Sequence, residues 1–147
     1  MTRDSIEQAA ELAFARLRRA RGDPRRLSEP VRTLVLVYGA QGVIDNGGVR
    51  YCFENDWPGR PPYSWFSRAY RRIGARRAAA LLDKAVAMFP FARPHLARRK
   101  RNAFMDTLAE DSRLFALGDK VCGDASVWRK LEEFLAANRR HFAAAQR

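Results

Sequence analysis

The chain has 147 residues, 47% hydrophobic and 30% charged, a balance that is typical of a globular protein and excludes a disordered one. Its two cysteines, Cys52 and Cys122, form no paired-cysteine motif, which excludes a disulfide framework and a zinc knuckle and favours the cytoplasm. No apolar run is long enough to span a membrane, so no membrane partner is expected. We expect one helical domain over residues 1–147, with an N-terminal helix and linker in 1–27 and the main body of the fold in 28–142.

The net charge of +12 comes entirely from the first two thirds of the chain. Residues 1–101 contain 21 basic and 9 acidic side chains, whereas residues 102–147 contain 7 of each. Such asymmetry can mark a surface for nucleic acid or another anion. The alternative is that the arginines, 24 of the 28 basic residues, are spread over solvated helix faces. In a chain that is also rich in alanine, this alternative is favoured.

Two helices are predicted before residue 46. The first runs from Ser5 to about Ala20, where apolar residues recur at helical spacing, and a Gly-Asp-Pro sequence at 22–24 ends it. The second begins at Ser28, with Pro30 in the first turn, where its missing N–H costs nothing. The β-branched run at 33–38 is also compatible with a buried strand. The N-cap at Ser28 favours a helix. The apolar character of residues 33–38 on all sides predicts that this helix is central and buried.

Asn46, Gly47 and Gly48 interrupt the apolar sequence that follows. Asn and Gly adopt positive φ at little cost, so a sharp turn is predicted here. A further helical turn is expected from Tyr51 to Asn55. We interpret the three residues as shaping a corner between helices and performing no chemistry.

The remaining sequence predicts a proline-rich loop at 56–62 and a series of further helices. These helices are predicted over 65–73, 76–89, 95–110, 111–119 and 124–142. The predicted fold class is all-α, a compact single-domain bundle of about seven helices with short connections.

The order of these features is similar to that of a known family. Its pattern has Asn-Gly-Gly, then an aromatic-rich helix closing in Phe-x-Asn, then Ile-Gly-Ala one helix later. The sequence 46–48, Phe53 to Asn55, and 73–75 match this pattern at the right separation, and the later helices also correspond. Over roughly residues 28–142 the chain resembles the DNA-mimic-protein-19-like family, also called domain of unknown function 4375. It departs from the pattern at Val49, usually an aromatic, and at Tyr51-Cys52, usually Gln-Tyr.

The resemblance implies a compact, self-associating helical domain with no established enzymatic activity. The family takes one of its names from a member that imitates the charge pattern of DNA and occupies a transcription regulator. Imitation of that kind needs a dense array of surface carboxylates, and this chain has an excess of arginine. DNA mimicry is therefore not expected of this protein.

No combination of residues predicts an enzyme, a cofactor or a metal site. The two histidines, His95 and His141, are not near a Cys or Ser in sequence. A Cys52–His pair in space is one alternative, although burial of Cys52 as a small apolar side chain is favoured. A cluster of Asp45, Glu54 and Asp56 could hold a cation, but helix capping and charge balance with Arg50 and Arg60 are the favoured roles, because calcium-ligand spacing is absent.

Nucleic-acid binding is the second-choice function. Residues 64–87 read as helix, turn and helix, but the second helix becomes apolar after Arg77 and does not suit base readout. Non-specific, salt-sensitive contact with phosphates is the form that the sequence supports. The residues predicted to make it are Arg68, Arg71, Arg72, Arg98, Arg99 and Arg101.

The first-choice function is a non-enzymatic, regulatory binding domain that contacts an acidic protein partner or its own copy, as in a homodimer. Exposed aromatic residues beside arginines are typical of interface hot spots. The predicted surface combines the double-glycine corner with the aromatic loop after it. Its residues are Asn46, Gly47, Gly48, Arg50, Tyr51, Asn55, Trp57, Tyr63 and Trp65. The alternative for the loop aromatics is that they pack the loop onto the core.

Overall fold

The structure, a computed structural model, describes the backbone of residues 3–143 and the side chains of residues 5–143. Within these residues it is all-α, as predicted, with seven α-helices and no strand. None of these seven helices has the length and apolarity that crossing a membrane requires. The helices are α1 (Arg3–Arg19), α2 (Glu29–Glu54), α3 (Tyr63–Arg72), α4 (Arg76–Val86), α5 (Arg98–Asp106), α6 (Arg113–Asp119) and α7 (Ala125–Ala137).

The long helix α2 lies at the centre of the fold. Helices α1, α3, α5, α6 and α7 all contact it, and α4 packs against α3 and α6. Its N-terminal half is therefore covered on every side, and residues 33–37 are all buried. This explains why the sequence there lacks a polar stripe, and it confirms the prediction of a central, buried helix. Pro30 lies in the first turn of the helix, as expected.

The predicted sharp turn at the double glycine is a kink inside α2. Only Gly48 leaves helical geometry, with φ 75° and ψ 176°, and the helix resumes at once. That backbone conformation is accessible essentially to glycine alone. Gly47 remains helical, so a single glycine forms the kink. The prediction of two helices separated by a turn was wrong in this respect, while the position of the break was correct.

Four of the later helices, α4 to α7, are shorter than the sequence predicted, α6 by only two residues at its start. Helix α4 ends at Val86, α5 begins at Arg98 after a 3-10 turn at Pro94–Leu96, and α7 ends at Ala137. At the end of α7 the side chain of Asn138 donates a hydrogen bond to the carbonyl oxygen of Phe134. A side-chain amide that bonds locally in this way competes with continued helix. A 3-10 segment, Arg139–Phe142, follows.

The kink gives a direct mutational prediction. Gly48→Ala should lower the free energy of unfolding by at least about 2 kcal/mol, because a Cβ forces a strained backbone. That Cβ would also lie 2.9 Å from Oδ1 of Asp119. Gly42→Ala is the matched control, since it lies in the same helix with nothing within 4 Å of a new Cβ. It should stabilise the protein by about 0.5–1 kcal/mol. Urea denaturation measures both, and equal effects would contradict the assigned kink.

Candidate functional site

The carboxylate of Asp45, three residues before the kink, is held entirely by the fold. Its Oδ1 accepts hydrogen bonds from Gln41 Nε2 at 2.8 Å and from the backbone N–H of Gly123 at 2.7 Å. Its Oδ2 accepts from Nε1 of Trp128 at 2.9 Å. These bonds join α2 to α7 and to the turn before it. Asp45 is thus a structural acceptor, with three of its roughly four lone-pair sites occupied by donors.

A buried side chain, Gln41, extends this network into the core. Its Nε2 also donates to the carbonyl oxygen of Val121 at 2.8 Å, and its Oε1 accepts from the hydroxyl of Tyr70 at 2.9 Å. Both Gln41 and Tyr70 are fully buried. Burial raises the pKa of the Tyr70 hydroxyl well above its ordinary value, so the hydroxyl remains a donor. The network connects three helices, α2, α3 and α7, through side-chain hydrogen bonds.

The kink itself is capped from α6. Oδ1 of Asp119 accepts a hydrogen bond from the backbone N–H of Val49 at 3.0 Å, one residue after the glycine. A new helical segment has unpaired N–H groups in its first turn, and Asp119 satisfies one of them. Gly118 lets the two helices approach closely, because a Cβ there would lie 2.4 Å from the Val49 side chain.

The three carboxylates considered for a cation are engaged separately. Glu54 accepts from Nε of Arg50 at 3.0 Å, and Asp56 accepts from Arg101 at 2.8 Å. Over the residues that the structure describes, no three His, Cys, Asp or Glu side chains are grouped as metal ligands would be. Charge balance with Arg50 is as predicted for Glu54. The partner of Asp56 is Arg101 and not Arg60.

Arg101 is a structural residue, and the prediction that it contacts phosphate was wrong. Its side chain is 0% exposed. It donates to the carbonyl oxygens of Phe53 and Pro94, both at 2.8 Å, and to Asn55 at 3.3 Å, besides its ion pair with Asp56. The end of a helix leaves carbonyl groups without partners, and Arg101 supplies them with donors at the end of α2.

The other five predicted nucleic-acid arginines do not share one surface role. Arg71 pairs with Asp83 at 2.7 Å, and Arg72 pairs with Glu29 at 2.8 Å. Nε of Arg98 donates to the carbonyl oxygen of Glu54 at 3.1 Å. Arg68 and Arg99 are exposed and have no partner among the described residues.

Four of the predicted partner-binding residues lie exposed near the kink. Asn46 and Gly47 come just before Gly48 and Tyr51 comes just after it. Asn55, the C-cap of α2, donates a hydrogen bond to the carbonyl oxygen of Tyr51 at 3.4 Å. The Tyr51 ring packs over Gly47, where a Cβ would lie 2.8 Å from it. Tyr51 is 47% exposed, and Leu96 at 42% is the other large hydrophobic side chain that is exposed in the described part of the chain.

The remaining predicted partner residues are drawn into the fold to different degrees. Trp57 packs with its ring centroid 5.0 Å from that of Phe66, in space that Gly39 leaves open. Tyr63 lies 5.4 Å from the Phe53 ring. The alternative that these aromatic residues pack the loop onto the core therefore describes Trp57 and Tyr63.

Three predicted residues remain. Gly48 is half-buried in the kink. Arg50 is half-buried, pairs with Glu54 and Asp106, and lies over the ring of Phe115. Trp65 is half-buried on α3, beside arginines rather than beside Tyr51.

The cysteines and histidines do not form a nucleophile–base pair. Cys52 is buried, as favoured from the sequence, and burial raises its pKa to about 12. The thiol is therefore protonated and unreactive at neutral pH. No hydrogen bond joins it to His95, whose ring contacts Tyr63, or to His141. Cys122 is exposed. Its pKa is also raised, mainly by partial desolvation of the thiol and secondly by the negative charges of Asp45 and Asp119.

A groove of about 530 Å³ lies between α1, α2 and α7, away from the predicted site residues. Its walls include Ile6 and the edge-to-face pair of Tyr38 and Trp128, whose ring centroids are 5.7 Å apart. The indole N–H of Trp128 already donates to Asp45. Sequence reasoning did not find this groove, because its walls are distant in the chain and resemble ordinary core residues.

Comparison with known proteins gives one positive result. The family model described as DMP19-like protein matches residues 25–138, from just before α2 to the end of α7. The resemblance noted from the sequence over 28–142 is thereby confirmed. No curated protein and no solved structure matches the chain. Helix α1 lies outside the matched residues.

The assignment of Arg101 can be tested against its neighbour on the same helix. Arg101→Met should lower the free energy of unfolding by about 3 kcal/mol, because it leaves three carbonyl oxygens and Asp56 without their donor. Arg99→Met, at an exposed position with no partner, should change it by less than about 0.5 kcal/mol. Chemical denaturation measures both. Similar values for the two variants would show that Arg101 is not the cap of α2.

Proposed function

Because the chain belongs to the DMP19-like family, we propose that it is a non-enzymatic, regulatory binding domain whose partner is an acidic protein surface or a second copy of the chain. The binding surface is the exposed surface around the kink and the end of α2, here called the Tyr51 face, made of Asn46, Gly47, Tyr51 and Asn55. The observation that supports it best is the 47% exposure of Tyr51, a large aromatic residue on the outside of the central helix.

Tyrosine suits this role because its ring offers a large contact area and a polar end at low conformational cost. The ring packs on Gly47. The helix that carries Tyr51 is held on its buried side by the core. A rigid anchor of this kind loses little entropy when a partner covers it. Asn46 and Asn55 use their amide nitrogens for local bonds to carbonyl oxygens of α2, which leaves their oxygens free to accept from a partner.

The charge of the chain indicates the character of the partner. A net charge of +12 attracts an acidic surface and speeds its association, and it repels a basic one, so charge favours the acidic protein over a second copy of the chain. A DNA mimic needs the opposite sign, since it must occupy the basic surface of a DNA-binding protein. We therefore propose that this member of the family does not act as a DNA mimic.

The proposal that the domain is not an enzyme is supported by how its titratable groups are used. Asp45 and Asp119 are hydrogen-bonded to backbone and side-chain donors that hold the helices together. Cys52 is buried as a thiol. Asp45, Asp119 and Cys52 thus serve the fold, which supports a role without covalent catalysis.

Site-specific photocrosslinking tests the Tyr51 face. Replacing Tyr51 with p-benzoylphenylalanine in the cell should give a covalent adduct, either with one acidic protein or with a second copy of the chain, as determined by mass. The matched control places the same residue at Arg77, which is exposed on α4. The control should give at most one tenth of the adduct. Equal yields at the two positions, or no adduct at position 51, would contradict the proposal.

A further inference from the structure

A small cleft between α2 and α3 brings arginines together around one tryptophan. Trp65, Arg68 and Arg72 lie at i, i+3 and i+7, on one face of α3, and they meet Arg32 and Thr33 of α2. The cleft has a volume of about 40 Å³. A space of that size holds on the order of three water molecules, or one small tetrahedral anion.

The arginines of the cleft are held by the fold in a way that leaves donors free. The guanidinium of Arg32 lies 5.0 Å from the centroid of the Trp65 ring, and that of Arg25 lies 5.4 Å from it. Cation–π contacts of this kind hold a guanidinium in place without using its N–H groups. Nη1 of Arg32 also donates one hydrogen bond to the carbonyl oxygen of Leu27 at 3.5 Å, and its Nε and Nη2 have no acceptor among the described residues. In Arg72, Nε contacts Glu29 at 2.8 Å and Nη1 donates to Thr33 at 3.3 Å. Its Nη2 keeps its two protons for another acceptor.

Positive charge exceeds negative charge in this cleft. Three guanidinium groups line it, and Glu29 is the one carboxylate that pairs with any of them among the described residues. Arg68 has no partner there, so all five of its N–H donors are available. Like charges held close together repel, and a bound dianion would relieve that repulsion.

We propose that this cleft binds one phosphoryl group, either as inorganic phosphate or as a phosphate monoester. Arg68 and Arg32 would supply paired donors in the planar arrangement that suits phosphate oxygens, and Arg72 would add a further donor. The proposal does not depend on the Tyr51 face. Arg32 and Tyr51 are 19 residues apart on α2, which is about 28 Å along a helix.

A single phosphoryl group fits these observations better than a nucleic-acid strand. A strand needs basic groups in a row and aromatic rings with free faces for stacking bases. Here Arg32, Arg68 and Arg72 line one small cleft, and arginines already contact Trp65. Of the other arginines predicted to contact nucleic acid, Arg71 pairs with Asp83 and Arg101 lies inside the core.

Isothermal titration calorimetry of the full chain in phosphate-free, low-salt buffer tests the proposal. The probes are inorganic phosphate, glycerol 3-phosphate and, as an alternative ligand, a short single-stranded and a duplex DNA. Saturable binding of either phosphate compound is expected. The tighter of the two shows whether the group arrives free or esterified.

Matched variants connect that binding to the cleft. Arg68→Ala should raise the dissociation constant for phosphate about tenfold or more, and Arg32→Ala should raise it by a similar factor. Arg77→Ala removes the same charge from an exposed position on α4 and should change it less than twofold. Arg68 has no partner to lose, so Arg68→Ala keeps the fold, which its thermal transition verifies.

Three results would overturn the proposal. The first is that neither phosphate compound shows saturable binding at ligand concentrations up to about 10 mM, roughly the limit for detecting a weak site. The second is an equal loss of affinity in Arg68→Ala and Arg77→Ala, which would mean attraction to net charge alone. The third is binding of DNA that requires Arg68 while neither phosphate compound binds, which would assign the cleft to a strand.

Discussion

The fold depends on one hydrogen bond at a helix interruption, from the backbone N–H of Val49 to the carboxylate of Asp119. Gly48 leaves helical geometry and opens a second helical start inside α2. A start of that kind has unpaired N–H groups, which are costly when they are shielded from water. Asp119 supplies an acceptor and thereby fixes α6 against the kink. Asp45, on the other side of it, fixes α7 through Trp128.

The kink divides α2 into two halves with different structural roles. The first half is buried on all sides and organises the core, and its outer end contributes Arg32 to the cleft with α3. The second half turns one face outward and carries Tyr51 on it, while Arg101 supplies donors to its final carbonyl groups. The kink therefore converts a core helix into one that presents a surface, which connects the structure of the corner to the proposed binding function.

The sequence predicted the fold class, the central helix and the position of the kink, because hydrophobic periodicity and glycine act locally. It did not predict which long-range partner each polar residue finds. Arg101 resembled its exposed neighbours Arg98 and Arg99, and only the packing of α5 on the end of α2 buries it. The position of Arg32 and Arg68 in one cleft was missed for the same reason, since 36 residues separate the two arginines. Trp57 and Tyr63 were placed correctly only as one of two alternatives.

The most direct test of the central interaction is hydrogen exchange at the amide of Val49, followed by NMR. An amide in the first turn of a helix normally exchanges fast, because it has no intrahelical acceptor. We expect the Val49 amide to be protected in the native protein, and we expect Asp119→Ala to abolish that protection while residues 34–37 in the buried half stay protected. Rapid exchange of Val49 in the native protein, or protection unchanged in Asp119→Ala, would contradict the account.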